Sequence, residues 1–161
     1  MRFVLASASP ARRETLVRAG VVPEVIVSQV DEDSIAASMP AASTVELALA
    51  LASAKALNVS TDVHGEVLVL GCDSLLDFEG KALGKPPSAE AAIARWQAMR
   101  GRSGTLHTGH CLMDIGTGNV RAETVSTVVR FADVTDAEIE LYCLTGEPSG
   151  VAGAFTIDGL G

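Results

Sequence analysis

The sequence predicts one α/β domain in which helices flank a mixed β-sheet arranged in two lobes. Two observations favour that class. Helical and strand patterns alternate along most of the 161 residues. The last third instead contains two long strand patterns in succession, which is typical of a hairpin. Apolar residues make up 48% of the chain and aromatic residues only 4%, so the core is expected to consist of Ala, Val and Leu.

The N-terminal pattern predicts a strand, a tight turn and then a helix. The strand corresponds to the apolar residues 3–6. Ser9 is a suitable N-cap and Pro10 suits the first helical position, so the helix is expected to begin there. Gly20 is the expected stop of this helix, and a short strand is predicted over residues 24–27.

The middle of the chain predicts an acidic loop, a long helix and a buried strand. The loop covers residues 31–33, and Ser43 with Glu46 forms a capping-box pattern that opens a helix over residues 44–57. Residues 67–72 form a continuous apolar run, which is typical of a buried strand. The other expected elements are a hairpin and a Pro-Pro turn within 77–87, a helix over 88–99, strands over 107–115 and 120–131 joined by a turn at 116–118, and a capping-box helix over 135–145.

The composition excludes several classes of protein. The net charge of −8 argues against a general nucleic-acid-binding protein, which needs a broad basic surface. A small anionic ligand is compatible with this charge if positive residues are concentrated in one cleft. No segment has the pattern of a signal peptide or a membrane span. The three cysteines are far apart and form no CxxC motif, which favours reduced thiols and a cytoplasmic location.

Asp73 is the most anomalous residue of the sequence. It directly follows the apolar run over 67–72, and therefore lies at the expected carboxyl end of a buried strand. Ligands of open α/β sheets gather at such ends, and a carboxylate near a core is costly unless it is paired, metal-bound or functional. An aspartate that caps the next turn is the alternative, but the apolar context favours a functional residue.

Two lysines also have an unusual context. Lys55 continues the apolar stripe that Leu47 and Leu51 define at a spacing of four, so it is expected on or beside the inward face of its helix. The alternative is a lysine whose stem is buried while its ammonium reaches water. Lys85 lies between Gly84 and two prolines, which would hold its backbone in a defined pose, although solvated turn lysines have the same pattern.

The remaining charged candidates complete a set that suits a polyphosphate. Glu32 lies in the acidic loop, where an acid usually faces solvent, but with Asp73 it could share a hard cation such as Mg²⁺. Arg12 and Arg13 fall in the first turn of a helix, where the dipole disfavours cations. Cations for an anion and acids for a metal and an attacking water predict metal-dependent phosphate chemistry on a nucleotide-like ligand.

Other signals are weak. His107 and His110 are three residues apart on a predicted strand, so they would face opposite sides and no shared metal ion is expected. Ser7 could be a hydroxyl ligand, although serine is common in turns. The sequence contains no GxGxxG, Walker A, HExxH or GxSxG motif.

Six motifs in a fixed order carry a resemblance that covers nearly the whole chain. They are LASASPARRETL, VSQVDED, ALASAKA, LGCDSLLDFEGKALGKP, MRGRSGTLHTG and GEPSGVAGAFTIDGLG. With these motifs the chain resembles the Maf-type nucleoside triphosphate pyrophosphatases, which are similar to septum-formation inhibitors. The resemblance implies a single Maf-like domain over residues 1–161, a fold with a central cleft as in the ITPases, and often a homodimer.

The resemblance also implies an activity and a site. The activity is metal-dependent hydrolysis of a nucleoside triphosphate to the monophosphate and pyrophosphate with Mg²⁺ or Mn²⁺, in the service of clearing non-canonical or excess nucleotides. By motif position, it implies Asp73 as general base, Glu32 with Asp73 as metal ligands, Lys55 and Lys85 as lysines around the triphosphate, and Ser7 and Arg12 as the polar groups of the N-terminal motif.

Three positions depart from the family pattern, namely Ala11, Ser74 and Asp158. The branch that acts on dTTP and UTP has arginine, threonine and glutamine there, and the branch that acts on 7-methyl-GTP carries other residues. We therefore expect these positions to alter the nucleotide preference. Family members usually continue with a further strand and helix after the position of Gly161. A nucleotide-binding regulatory protein of cell division with little catalysis is the alternative function, and a generic interaction domain is a third.

Overall fold

The mixed β-sheet expected from the sequence is present and has six strands, flanked by five α-helices. The structure is a computed structural model that describes residues 1–161. The strands are β1 (Arg2–Leu5), β2 (Glu24–Val25), β3 (Val67–Phe78), β4 (Lys81–Leu83), β5 (Ser103–Asp114) and β6 (Val120–Arg130). The helices are α1 (Pro10–Arg18), α2 (Glu32–Ser38), α3 (Thr44–Ser60), α4 (Ala89–Met99) and α5 (Asp136–Leu144), followed by short 3-10 turns at Glu147–Gly150 and Ala152–Ala154.

The sheet combines parallel and antiparallel pairs in the order β2-β1-β3-β5-β6. β1 pairs in parallel with both β2 and β3, and Val4 lies opposite Val69. β4 pairs with the second half of β3 in the antiparallel sense, with Leu76 opposite Leu83, so the predicted hairpin is confirmed. None of the helices, of which the 17-residue α3 is the longest, has the length and apolar character that crossing a bilayer requires.

The chain forms two compact units. The first unit contains residues 1–73 and 108–125, and the second contains residues 74–107 and 126–161. The core of the first unit is small and aliphatic, formed by Val4, Ala6, Ala52, Ala56, Val59, Val63, Val67, Val69 and Cys111. The core of the second unit is rich in rings and includes Leu76, Phe78, Trp96, Met99, Phe131, Ile139 and Phe155. The expected core of Ala, Val and Leu is therefore right for the first unit and wrong for the second.

Two sequence-based expectations about elements are also wrong. The acidic loop is the start of α2, because the Asp31 side chain accepts a hydrogen bond from the Ser34 amide and caps the helix. Glu32 and Asp33 then lie in its first turn, where negative charge is favourable. The third strand does not end before Asp73 but continues to Phe78, because its second half pairs with β4.

Candidate functional site

The candidate site of the first unit centres on a lysine that contacts two carboxylates. The Lys55 ammonium forms ion pairs with Asp73 Oδ1 and, at 2.7 Å, with Glu32 Oε1. Asp73 is only 6% exposed and Lys55 9%, whereas the Glu32 side chain is about half exposed. All three residues were candidates from the sequence, where Glu32 and Asp73 were expected to share a cation, and the structure places the Lys55 ammonium against both carboxylates.

Asp73 lies at the end of a neighbouring strand rather than at the end of its own. β1 ends at Leu5, which is opposite Leu70, and the Ala6 amide donates the following hydrogen bond to the Leu70 carbonyl at 2.8 Å. β3 continues past this point, so Asp73 sits just beyond the carboxyl end of its parallel partner. The predicted strand-end location is therefore right for the neighbouring strand β1 and wrong for β3, the strand to which Asp73 belongs.

Lys55 is held by the buried face of α3. The helix begins with the predicted capping box, in which Ser43 and Glu46 bond each other's backbone amides. Its buried positions are Thr44, Ala48, Leu51, Ala52, Lys55, Ala56 and Val59, at the three- and four-residue spacing of one helical face. The inward-facing interpretation of Lys55 is confirmed, and its ammonium ends in ion pairs instead of reaching water as a snorkelling lysine would.

Two glycines allow α3 to lie unusually close to the sheet. A Cβ atom on Gly71 would lie 2.6 Å from the Ala56 amide nitrogen, and one on Gly109 would lie 2.6 Å from the Ala48 carbonyl carbon. Real side-chain atoms do not approach backbone atoms so closely, so any residue other than glycine at these strand positions would force the helix or the strand to shift. Because Asp73 is two residues after Gly71, this close approach fixes Asp73 within reach of Lys55. These two glycines were not predicted from the sequence as contact points, although glycine inside a strand pattern is a signal of close backbone approach.

Burial determines the electrostatics of Asp73. Desolvation raises the pKa of the Asp73 carboxyl above its ordinary value, and the adjacent Lys55 ammonium partly opposes the rise. The Glu32 carboxylate adds to the rise in this pKa, and Arg12 lowers it. The side chains of Asp73, Glu32 and Lys55 together carry one net negative charge when all three are ionised, and Arg12 offsets part of it. The cluster therefore favours a further cation or a proton.

The N-terminal motif is attached to the same strand. Arg12 Nη1 donates to the Ser7 hydroxyl oxygen and to the Cys72 carbonyl oxygen, both at 2.9 Å. Ser7 is buried, and Ser9 caps α1 by accepting a hydrogen bond from the Arg12 amide, as predicted. The side chain of Arg12 thus turns back to the residue before Asp73, while Arg13 is exposed.

The other predicted site residues lie outside this cluster. Ala11 is half-buried in α1. Lys85, Ser74 and Asp158 belong to the second unit, where Lys85 and Asp158 are exposed. Their roles stay predictions.

Histidine and cysteine residues do not form a metal centre. His107 is buried and its Nδ1 lies 2.7 Å from the hydroxyl of Ser126. The structure has no group of three or more His, Cys, Asp or Glu side chains that could hold a metal ion. All three cysteines are buried free thiols, and burial raises the pKa of Cys72.

Comparison with known proteins gives a consistent result across the whole chain. A family model described as "Maf-like protein" matches residues 2–161. A curated nucleoside triphosphate pyrophosphatase of Streptomyces coelicolor is 59% identical over 160 residues, which are 98% of this chain and 75% of that protein. Proteins of the same name from Salinispora tropica and Synechocystis are 54% and 51% identical. The matches cover 100% and 99% of this chain and 71% and 79% of those proteins.

Proposed function

The chain belongs to the Maf-like protein family and is an enzyme of the nucleoside triphosphate pyrophosphatase kind, and we propose that Asp73 is the general base of its reaction. In this proposal the enzyme cleaves the bond between the α- and β-phosphates and releases a nucleoside monophosphate and pyrophosphate. The observation that carries the proposal is a buried carboxylate that is ion-paired with a buried lysine.

The chemical step follows from the environment of Asp73. A water oxygen attacks the α-phosphorus while its proton passes to the Asp73 carboxylate, and the bond to the bridging oxygen of pyrophosphate breaks. A general base is most effective when its pKa lies close to the working pH, and burial moves the pKa of Asp73 in that direction. Lys55 orients the carboxylate and partly opposes the rise in its pKa, and the Lys55 ammonium is also a partner for phosphate oxygens.

Further groups bind the triphosphate in this proposal. Ser7 and Arg12 stand at the start of α1, where backbone amides and the helix dipole favour an anion. A phosphate beside this helix end would also account for an arginine in an otherwise unfavourable first turn. Lys85 of the second unit is proposed as a further phosphate ligand, on the motif resemblance and its exposed position.

The donor set of the cluster suits a hard divalent cation. Mg²⁺ is commonly held by one or two carboxylates together with substrate phosphates and waters, and Glu32 and Asp73 supply two such carboxylates. When bound, Mg²⁺ or Mn²⁺ would stabilise the charge that develops on the leaving pyrophosphate. Because Lys55 contacts both carboxylates, its ammonium competes for the same oxygens. Chelation with EDTA is therefore expected to stop turnover, and added Mg²⁺ or Mn²⁺ to restore it.

Nucleotide preference is proposed to depend on Ala11, Ser74 and Asp158, the three positions that depart from the family pattern. The cellular task that fits this activity is the removal of non-canonical or excess nucleotides.

A panel of nucleoside triphosphates, incubated with Mg²⁺ or Mn²⁺ and assayed for pyrophosphate, tests the proposed function. Asp73→Asn is expected to lower kcat by about 10²–10⁴-fold while nucleotide still binds, because general-base catalysis contributes about that factor. Asp62→Asn is the control, since Asp62 is an exposed acid of the same unit.

Three outcomes would contradict the proposal in different ways. Full turnover by Asp73→Asn would remove Asp73 from the mechanism. Nucleotide binding without pyrophosphate release would favour the regulatory alternative. Absence of nucleotide binding would favour a generic interaction domain.

A further inference from the structure

The carbonyl group that precedes Lys85 is held by two hydrogen bonds. The segment between β4 and α4 contains Pro86 and Pro87, which have no amide hydrogen, so it must be anchored largely through carbonyl groups. The Gly84 carbonyl oxygen accepts from Arg95 Nη1 at 2.7 Å and from the Gly153 amide at 3.0 Å. Both lone pairs of this oxygen are therefore used, and the peptide plane that leads into Lys85 is fixed.

The two donors are themselves fixed by one helix. Arg95 belongs to α4, and its neighbour Trp96 donates from Nε1 to the Ala154 carbonyl at 2.7 Å. That bond holds the turn containing Gly153, whose φ of +68° is the left-handed conformation that glycine adopts without strain. A Cβ on Gly153 would also collide with Leu76. The hydrogen bonds that hold the backbone before Lys85 thus depend on two side chains of α4, those of Arg95 and Trp96.

Arg95 is a costly residue for an ordinary loop contact. Its side chain is half-buried and takes part in none of the ion pairs of the structure. Burial without a carboxylate partner lowers the pKa of its guanidinium. A charge-assisted bond to a backbone carbonyl is stronger than a neutral one, so the charge is used to immobilise Gly84.

We propose that Arg95 is a positioning residue for substrate binding, which holds the Gly84 carbonyl and thereby aims Lys85 at the anionic phosphate chain. This inference rests on the proposed role of Lys85 as a phosphate ligand. Arg95 does not touch the substrate itself, and its effect reaches the substrate only through Lys85.

A double-mutant cycle tests whether Arg95 acts through Lys85. Arg95→Ala and Lys85→Ala are each expected to raise the KM for the best nucleoside triphosphate, and the Kd for inorganic tripolyphosphate in calorimetry, by about tenfold. The double variant is expected to be no worse than the weaker-binding single variant, because the two changes remove one interaction. Arg95→Lys keeps a cationic donor and is expected to recover part of the affinity.

Arg100→Ala is the matched control at the C-cap of the same helix, since Arg100 bonds instead to Asp136 and the Val134 carbonyl. It should leave KM and Kd unchanged, and thermal unfolding of every variant establishes that it is folded. Unchanged affinity in Arg95→Ala, or additive losses in the double variant, would overturn the inference. Unchanged affinity in Lys85→Ala would overturn it together with the role of Lys85. If the natural protein bound tripolyphosphate but hydrolysed no nucleotide, weaker tripolyphosphate binding by Arg95→Ala and Lys85→Ala would still support the positioning role. Only the proposed enzymatic function would then be contradicted.

Discussion

The first unit buries charge, whereas the second buries rings. Four of the buried polar or charged side chains belong to the first unit, namely Ser7, Thr44, Lys55 and Asp73. In the second unit His107 is the one buried polar side chain. That unit instead contains an aromatic cluster, in which only Tyr142 is partly buried. The members of the cluster are Phe78, Trp96, Phe131, Tyr142 and Phe155. Both units contain strands of the same sheet, so the difference comes from what packs on those strands.

The contrast follows from how closely a helix approaches the sheet. In the first unit, α3 contacts the strands at Gly71 and Gly109 through its own backbone, which leaves little space to fill. In the second unit, α4 packs against its neighbours through large side chains. The Trp96 ring contacts the rings of Phe131 and Tyr142 edge-on, with 5.6 and 5.4 Å between the ring centroids. Backbone contact sets a separation accurately, and aromatic filling buries a large apolar area. The first arrangement suits the holding of an ion pair, and the second suits stability.

The largest effect is expected when the aromatic core of the second unit is disrupted. Trp96→Ala should lower the free energy of unfolding by about 3–5 kcal/mol, because it empties a packed site and leaves the Ala154 carbonyl without its donor. Urea unfolding followed by circular dichroism measures the loss. Trp96→Phe is the graded control and should lose less, since a ring remains. A loss below about 1 kcal/mol for Trp96→Ala would mean that the rings are not the main support of the second unit.

The next largest effect is expected when the buried ion pair of the first unit is removed. Lys55→Met should lower kcat/KM by about 10²-fold, the scale expected when one preorganised charged donor is removed. It also leaves the Asp73 carboxylate buried without its counter-ion. Lys81→Met, an exposed lysine of the second unit, should turn over as the natural enzyme does. Equal turnover in Lys55→Met and the natural enzyme would show that burial of this charge serves no catalytic purpose.

A smaller effect is expected when the close contact between α3 and the sheet is disturbed. Gly71→Ala should lower the free energy of unfolding by about 1–3 kcal/mol, because the added methyl group meets helix backbone that cannot move aside. Gly150→Ala is the matched control, since nothing lies within 4 Å of its added Cβ. Chemical denaturation of both variants gives the comparison. Similar stability of the two variants would contradict a close helix-sheet contact in the first unit.

The smallest effect concerns pH. The pKa of Asp73 is raised from 3.8 in the folded protein, so protonation is favoured by folding. Its contribution to stability is therefore fully present below that ordinary value and is lost as pH rises through the folded pKa. Relative to Asp73→Asn, the natural protein should lose stability as the pH rises above the ordinary pKa of the carboxyl and through its raised folded pKa. A pH-independent difference between the two would show that burial does not govern this carboxyl.

Catalysis should follow the same ionisation. Asp73 accepts a proton only as the carboxylate, so kcat should fall as pH decreases through its raised pKa. A pH-rate profile without an acidic limb would argue for a different base.

Local signals predicted the parts of this molecule whose partners are close in sequence. The caps at Ser9, Ser43, Ser88 and Thr135 gave correct helix starts, because each cap bonds an amide three residues later. The stripe through Lys55 was likewise readable from helical spacing. The second half of β3 was missed because the apolar run stops at Asp73, although the hairpin that joins this half to β4 was predicted.

The site could be predicted as a set of residues but not as a geometry. Nothing local indicates that Lys55 lies between Asp73 and Glu32, since Asp73 is 18 residues from Lys55 and the contact depends on α3 packing against β3. The bond from Arg12 to the Cys72 carbonyl spans 60 residues and was equally inaccessible. The aromatic core was hidden for another reason, because a small overall share of rings does not tell where they collect.

Trp96 is the only tryptophan of the chain, and its position gives the protein an optical asymmetry. Indole emission changes when the ring is exposed to water or loses its hydrogen bond, and here the ring is buried and bonded within the second unit. Intrinsic fluorescence therefore reports on the second unit, whereas far-ultraviolet circular dichroism reports on both. If the two signals change together on unfolding, the units melt as one cooperative body, and if they separate, the ring-filled and charge-bearing units melt one after the other.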